Sequence, residues 1–416
     1  MRFCRETAVG WASFACLLLV QFQLYFWSGP VSAMLVAGAG LVALTVALIG
    51  KSAFRTCLDV PLTVYLSIGL VSAIVHAAVP AWAATLVVVA LYYGLAYAAR
   101  DLFRLPLTLA CAVICQVLVG ALAFYYHAAA GFEWRSGIVY LAVSQWSGYP
   151  EAGFLQALAI PSAFAMVVAG PGRLARAAGL LLSVSIAAVA LGLSSRGAWV
   201  AAGAAYVAIA SIEVTCFRRA RLWLVLPVVA AMTAAAWYWS PMFRELVRGF
   251  LPSPGAPDDR REVLKAALRL VKDNPWFGVG LGHFRDALTG TDVAHRAPSA
   301  TVHAHNMYLH VAAEMGVPAL LAFLWLWWSA LWSLARGLAS GDRLDLVRIG
   351  LFGAVVAFLV RGMTDHFLGG LGTSARFNVV LWTLFAMVAS LDRLRKDRDT
   401  TAPTPLPDNP PAPAAG

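Results

Sequence analysis

The sequence predicts an all-α polytopic membrane protein of about twelve transmembrane helices, with one large extramembrane loop between spans 9 and 10. Three observations carry this. The 416-residue chain is 61% hydrophobic and only 12% charged, about half the charge of a soluble domain. Its apolar residues come in unbroken runs of roughly 17–23, the length a helix needs to cross a bilayer. The runs do not alternate, so a β-barrel is excluded, and lipid leaves a helix as the structure that satisfies its own backbone.

The spans fall near residues 8–27, 31–50, 58–79, 81–99, 105–125, 153–170, 177–193, 198–216, 222–240, 316–335, 345–362 and 376–391. The first follows Arg2 and Arg5 and is long enough to be a span rather than a cleaved leader. Orientation comes from the basic residues of the short links. One side carries Lys51 and Arg55, Arg100 and Arg104, Arg173 and Arg176, Arg218, Arg219 and Arg221, then Arg336, Arg343 and Arg348. Links on the other side, such as Trp27–Pro30 and Val79–Trp82, carry none. Basic short loops stay cytoplasmic, so both termini are expected inside. The net charge of +10 is thereby accounted for at span ends, and a nucleic-acid partner is not expected. Membrane lipids are the partner that this charge distribution fits.

A single transmembrane domain over residues 1–399 is expected, with outer loops at 126–152 and 241–302. Residues 400–416, rich in Pro and Ala, read as a disordered cytoplasmic tail. None of the six cysteines falls in an outer loop, which argues against a disulfide framework.

Chemistry concentrates on the outer face. All eight histidines lie in, or at the mouth of, outer links. Arg196, Arg361 and Arg376 also lie there, against the charge bias. Arginines at a membrane's outer rim suit an anionic headgroup, and the guanidinium fork fits diphosphate.

Three constellations follow. Ser194-Ser195-Arg196-Gly197-Ala198-Trp199 joins two spans with almost no loop. Arg196 then stands at a helix N-terminus, where anions are favoured, although a snorkelling arginine at a tight turn would look the same. The second runs from Asp258 to Pro275 and has helical period. Arg261, Lys265, Arg269 and Lys272 make a basic stripe; Val263, Leu264, Ala267, Leu268 and Val271 make an apolar side. This pattern predicts an amphipathic helix on the membrane surface, with the stripe toward anionic headgroups. Arg260 lies off the stripe, toward the apolar side. The third is His303-Ala304-His305-Asn306-Met307-Tyr308-Leu309-His310, followed by Glu314 and Gly316. His303 and His310, seven apart, share a helical face. Three roles fit the cluster: a base or orienting imidazole, interfacial helix-end histidines, or a zinc trio of His303, His310 and Glu314.

Two patterns fail their context. Gly278-Val279-Gly280-Leu281-Gly282 follows no strand and sits outside, so it reads as a tight turn rather than a nucleotide loop. Asp258-Asp259 reads as charge compensation at a helix start. The last outer link carries Arg361, Asp365, His366 and Arg376, expected to complete the site, although a local ion pair of little consequence between the neighbours Asp365 and His366 would look the same. Transport is the weaker alternative, because the mid-span regions are nearly free of charge.

In three pieces the chain resembles the O-antigen ligase and O-antigen polymerase superfamily: Ser195-Arg196-Gly197-Ala198-Trp199; Arg260-x-Glu262-Val263 leading into Asn274-Pro275-Trp276-Phe277-Gly278-Val279-Gly280; and His305-Asn306-x-Tyr308-Leu309 with Glu314 and Gly316. The resemblance implies a GT-C-like membrane glycosyltransferase, O-antigen ligase most of all. Such an enzyme takes a glycan from undecaprenyl diphosphate and passes it to a lipid A–core oligosaccharide on the periplasmic face of the inner membrane. It implies inversion, no metal and no cofactor. Carried over by motif, Arg196 and Arg260 hold the diphosphate and His305 serves the acceptor hydroxyl, while Arg261 rivals Arg260. His303, Asn306, Tyr308, Arg361, His366 and Arg376 are expected to line the substrate site. Val317 stands where ligases often carry a second glycine, which keeps open an O-antigen polymerase or a protein O-oligosaccharyltransferase.

Overall fold

Among the described residues every regular element is a helix, as apolar runs in lipid require. The computed structural model describes residues 55–99, 104–110, 159–167, 172–192, 196–217, 259–289, 303–336, 344–365 and 375–401, with scattered positions between them. Apart from a few scattered positions, the spans expected at 8–27, 31–50 and 222–240, the loop 126–152 and, of the loop 241–302, residues 241–258 and most of 290–302 lie outside these residues. Short helical stretches at 104–110 and 159–167 fall within two further expected spans.

Ten helices are followed here: α1 (Asp59–Val75), α2 (Val79–Ala98), α3 (Gly172–Gly192), α4 (Arg196–Phe217), α5 (Asp259–Asp273), α6 (Phe284–Leu288), α7 (Met307–Met315), α8 (Val317–Ala335), α9 (Asp345–Gly362) and α10 (Ala375–Thr401). Two of them, α2 and α8, are long and apolar enough to cross a membrane. In α8 the sequence sorts into two faces. Ala319, Ala322, Phe323, Leu326, Trp327, Ala330 and Leu334 are buried, whereas Leu321, Leu324, Trp325, Trp328 and Trp332 are exposed. A large apolar face turned outward suits hydrocarbon as its solvent.

The main core is built where α8, α9, α10, α2 and α1 meet. Trp327, Phe323, Phe358, Phe385, Trp382 and Tyr92 are its largest members. The Trp327 ring lies 4.8 Å from Phe385 and 6.0 Å from Phe323, in tilted and edge-on contacts that aromatic quadrupoles favour. Helix α9 is buried almost all round, from Asp345 to Gly362. It packs most extensively on α4 and also touches α8 and α10. At one end of the bundle the polar groups are tied locally. Arg348 donates to Asp345 at 2.8 Å, and Lys396 reaches Asp392 at 2.7 Å.

At the other end the histidines gather, and there α5 corrects an expectation. Its apolar side does not turn to a membrane surface. Val263, Ala266 and Ala267 are buried against Phe284, Leu288, Ala304 and Ala313, so α5 packs on α6 and α7. Of the predicted apolar side, Leu268 is left 54% exposed. A 3.6-residue period marks a face that must be covered, and here protein covers it rather than lipid.

The glycine-rich segment forms the expected tight turn. Gly278, Gly280 and Gly282 all have positive φ. Val279 N donates to Ala313 O at 2.8 Å and Gly280 N to Glu314 O at 2.9 Å; Val317 N donates to Pro275 O at 2.8 Å. The turn is thus sewn to the break between α7 and α8. Gly316, at φ 87°, makes that break, and a Cβ there would strike Trp276 O. Ser72, near the end of α1, donates to Phe277 O at 2.7 Å. At the C-terminus α10 runs past the expected span end to Thr401, so Thr400 and Thr401 are helical; 402–416 lie outside the described residues.

Candidate functional site

Four segments converge at the histidine-bearing end: the start of α4, the end of α9, the link entering α7, and α5. The closest approach is between α4 and α9. Arg361, in the last turn of α9, is buried. Its Nη1 donates to Thr364 Oγ1 at 2.9 Å and its Nη2 to Asp365 Oδ2 at 2.8 Å. A Cβ on Gly197 would collide with both Arg361 Nη1 and Thr364 Oγ1. The absence of a side chain at Gly197 therefore lets α4 begin directly against this ion pair. Arg196, its neighbour, is the first residue of α4, as the tight-turn reading requires.

Asp365 is the hub. Its Oδ2 accepts from Arg361, and its Oδ1 lies 3.7 Å from His303 Nε2. The His303 and His305 rings stand 4.4 Å apart, centroid to centroid. Ligand atoms of His303, His305 and Asp365 all lie within 4.8 Å of one another. The side chain of Asp365 is only 7% exposed, whereas that of His303 is 27% exposed. The group therefore has an anchored base and an accessible lip. Arg361, expected to line the substrate site, is bound to this buried carboxylate, which balances part of its charge.

The sequence puts His303 and His310 on one helical face, and the structure separates them. Asn306 has extended backbone and caps α7, its Oδ1 accepting from Leu309 N at 3.0 Å. The helix therefore starts at Met307, after His303, and the shared-face argument does not apply. His305 sits at φ 49°, a left-handed conformation that few side chains adopt. That kink turns the link so that both imidazoles meet Asp365. His310 instead lies deep in the fold beside Glu314, with 3.4 Å between Nε2 and Oε1, so the trio His303, His310 and Glu314 does not form. Burial drives the Glu314 carboxyl upward, but His310 and the backbone N–H groups of Gly282 and Phe284 outweigh it and hold the group below the usual carboxylate range. Phe284 N donates to Glu314 Oε1 at 3.2 Å. This buried pair latches α6 to α7 and supports the histidine link from behind.

Two expected substrate residues have structural partners. Asn306 Nδ2 donates to Met363 O at 3.3 Å, tying the start of α7 to the end of α9. Tyr308 donates its hydroxyl proton to Leu359 O at 2.7 Å, and burial pushes that phenol up. Both hold the histidine link in register with Asp365. Arg260 and Arg261 occupy the first turn of α5 and are exposed. Val263, one turn on, joins the apolar cluster that contains Ala304, between the two site histidines. Helix α5 thus runs alongside the histidine link. Arg376 lies in the first turn of α10. His366 lies outside the described residues.

Sequence reasoning left two contributors without a role, Gly197 as a contact and Thr364, and it placed Asp365 at the site without its partner His303. The Arg361–Asp365 spacing of i, i+4 was the legible signal, because it puts both groups on one face at a helix end. Nothing local announces that His303 would meet Asp365.

Residues 178–324 match a family model described as O-Antigen ligase. The match runs from α3 into α8 and takes in Arg196, α5, the glycine turn and the histidine link. A comparison with curated proteins finds no match.

Proposed function

We propose, on the premise that residues 178–324 carry a segment of the O-antigen ligase and polymerase superfamily, that this membrane protein is a ligase-type glycosyltransferase. Its donor is a glycan on undecaprenyl diphosphate, and its acceptor is the lipid A–core oligosaccharide. Transfer occurs at the periplasmic face of the inner membrane, without metal and with inversion. The observation that carries this reading is the meeting of His305, His303 and Asp365 beside the α4 start that bears Arg196.

The chemistry follows from what the leaving group needs. Diphosphate leaves readily once its developing charge is met, so pre-placed guanidinium groups do most of the work. Arg196 and Arg260 take that role, with Arg261 the alternative to Arg260. His305 accepts the proton of the acceptor hydroxyl. The acceptor oxygen bonds to the anomeric carbon from the side opposite the diphosphate. The carbon–oxygen bond to diphosphate breaks, and diphosphate leaves with the electron pair. A positioned imidazole is worth roughly 10²–10⁴-fold. His303, braced by Asp365, orients the acceptor or His305 itself. Both substrates are amphiphiles, so a membrane-embedded site adds proximity.

A polymerase on the same scaffold is the second reading, favoured by Val317 in place of a second glycine. Purified protein offered lipid-linked glycan with either lipid A–core or a second lipid-linked repeat separates the two. Transfer to lipid A–core supports the ligase. Chain extension without lipid A–core supports the polymerase, and neither product removes the transferase reading.

A further inference from the structure

We propose that His303, His305 and Asp365 form a binding site for one divalent cation of the zinc class, and that its occupancy switches the transferase off. The switch rests on the role proposed for His305; the site does not.

The donor set comes first. Two imidazoles and one carboxylate are a preferred ligand set for Zn²⁺, which takes three protein ligands in open sites and leaves a fourth position for solvent. Hard Mg²⁺ instead wants oxygen donors in octahedral array. Geometry comes next. Ligand atoms around a tetrahedral zinc with bonds of about 2.0–2.1 Å stand roughly 3.4 Å apart. Here His303 Nε2 and Asp365 Oδ1 are 3.7 Å apart, and no pair in the trio exceeds 4.8 Å. A contraction of at most about 1.4 Å closes the set.

The support is in place as well. Asp365 offers Oδ1 to the histidines while Oδ2 stays on Arg361 at 2.8 Å. Metal-ligating carboxylates are oriented by such partners. The two contributing segments are stitched together by Asn306 Nδ2 on Met363 O. The His303 side chain is 27% exposed, which gives the ion a way in. Arg361, only partly neutralised by Asp365, lies close and weakens cation binding, so affinity falls below that of a closed structural site. A cation on His305 takes the lone pair that would receive the acceptor proton. Occupancy and transfer are therefore mutually exclusive.

The test uses the purified full chain in detergent micelles. Zn²⁺ is titrated by calorimetry, and Co²⁺ binding is followed by its visible absorption. Wild type binds one Zn²⁺ per chain, and excess Mg²⁺ does not displace it. His303→Gln and Asp365→Asn each weaken binding by at least the roughly 10–100-fold that altered ligand supports cost, and each abolishes the cobalt band. His76→Gln, at a histidine outside the trio, leaves both unchanged. If Asp365→Asn proves unstable by thermal unfolding, His303→Gln carries the test, because its side chain sits at the lip. Absence of stoichiometric zinc, or equal affinity in His303→Gln, overturns the site. In the transfer assay zinc inhibits wild type and a chelator restores it. Zinc bound with undiminished transfer keeps the site, overturns the switch and removes His305 from the chemistry.

Discussion

Gly197→Ala is the substitution whose outcome the geometry fixes most tightly. Elsewhere in a helix the change would help, since alanine is the better helix former by about 1 kcal/mol. Here the new methyl would collide with Arg361 Nη1 and Thr364 Oγ1 and lie 3.1 Å from Thr364 Cβ. Ordinary contact requires both polar atoms to retreat by ~1 Å. The bonds at risk are 2.9 Å to Thr364 and 2.8 Å to Asp365, and a shift of that size takes them out of range. Overpacking a tight interior costs about 1–3 kcal/mol, and loosening a hydrogen bond to a buried charge adds up to about 1.5–3 kcal/mol. With the helix gain set against them, the expected loss is about 1.5–5 kcal/mol. Asp365 moves with Arg361 and carries His303 out of place, so glycan transfer falls by roughly 10²-fold. Thermal unfolding in micelles and transfer from lipid-linked donor read the two effects. A raised or unchanged midpoint with full transfer would refute the packing of α4 on α9 described above.

Other substitutions separate the remaining roles. Arg196→Lys replaces a fork by a point charge, so transfer drops while the unfolding midpoint holds; undiminished transfer argues against two-point contact with diphosphate. Glu314→Gln replaces the charged acceptor facing His310 and Phe284 N by a neutral amide and destabilises by about 1.5–3 kcal/mol at neutral pH. Because the carboxyl is held below its ordinary value, its contribution is present above the usual carboxylate range and fades as pH falls through the folded value. The stability gap between wild type and Glu314→Gln therefore closes in acid; a gap that widens there contradicts the assigned direction. Gly278→Ala places a side chain at φ 65° and drives it into the Glu314 backbone. The turn has no flexible neighbour to yield, so the protein loses more than about 3 kcal/mol, or does not accumulate; a stable Gly278→Ala protein would remove the turn from the fold's essential contacts.

Much of the helical frame was legible because lipid allows a long apolar run few alternatives. The expected spans at 81–99, 316–335 and 345–362 coincide closely with Val79–Ala98, Val317–Ala335 and Asp345–Gly362. The faces of helices were less legible. Periodicity shows that Val263 and Ala267 must be covered, but it is blind to whether lipid or α7 covers them. Local rules also compete. His303 and His310 have helical spacing, yet Asn306 is a strong cap between them and starts the helix later. Gly197 reads as part of a motif, but its need to be glycine comes from Arg361 and Thr364, far along the chain. Asp365 reads as a neighbour of His366, whereas the structure pairs it with His303 across the fold. Contacts of that range leave no pattern in a single sequence.

The central claim is that guanidinium groups grip a lipid-linked diphosphate while His305 serves the incoming hydroxyl. His305→Asn tests it most directly. Asparagine tolerates the left-handed backbone at φ 49° but cannot take up a proton. With purified protein, lipid-linked donor and lipid A–core, the account predicts at least a ~10²-fold loss of transfer at an unchanged unfolding midpoint. Transfer at the wild-type rate by His305→Asn would contradict it.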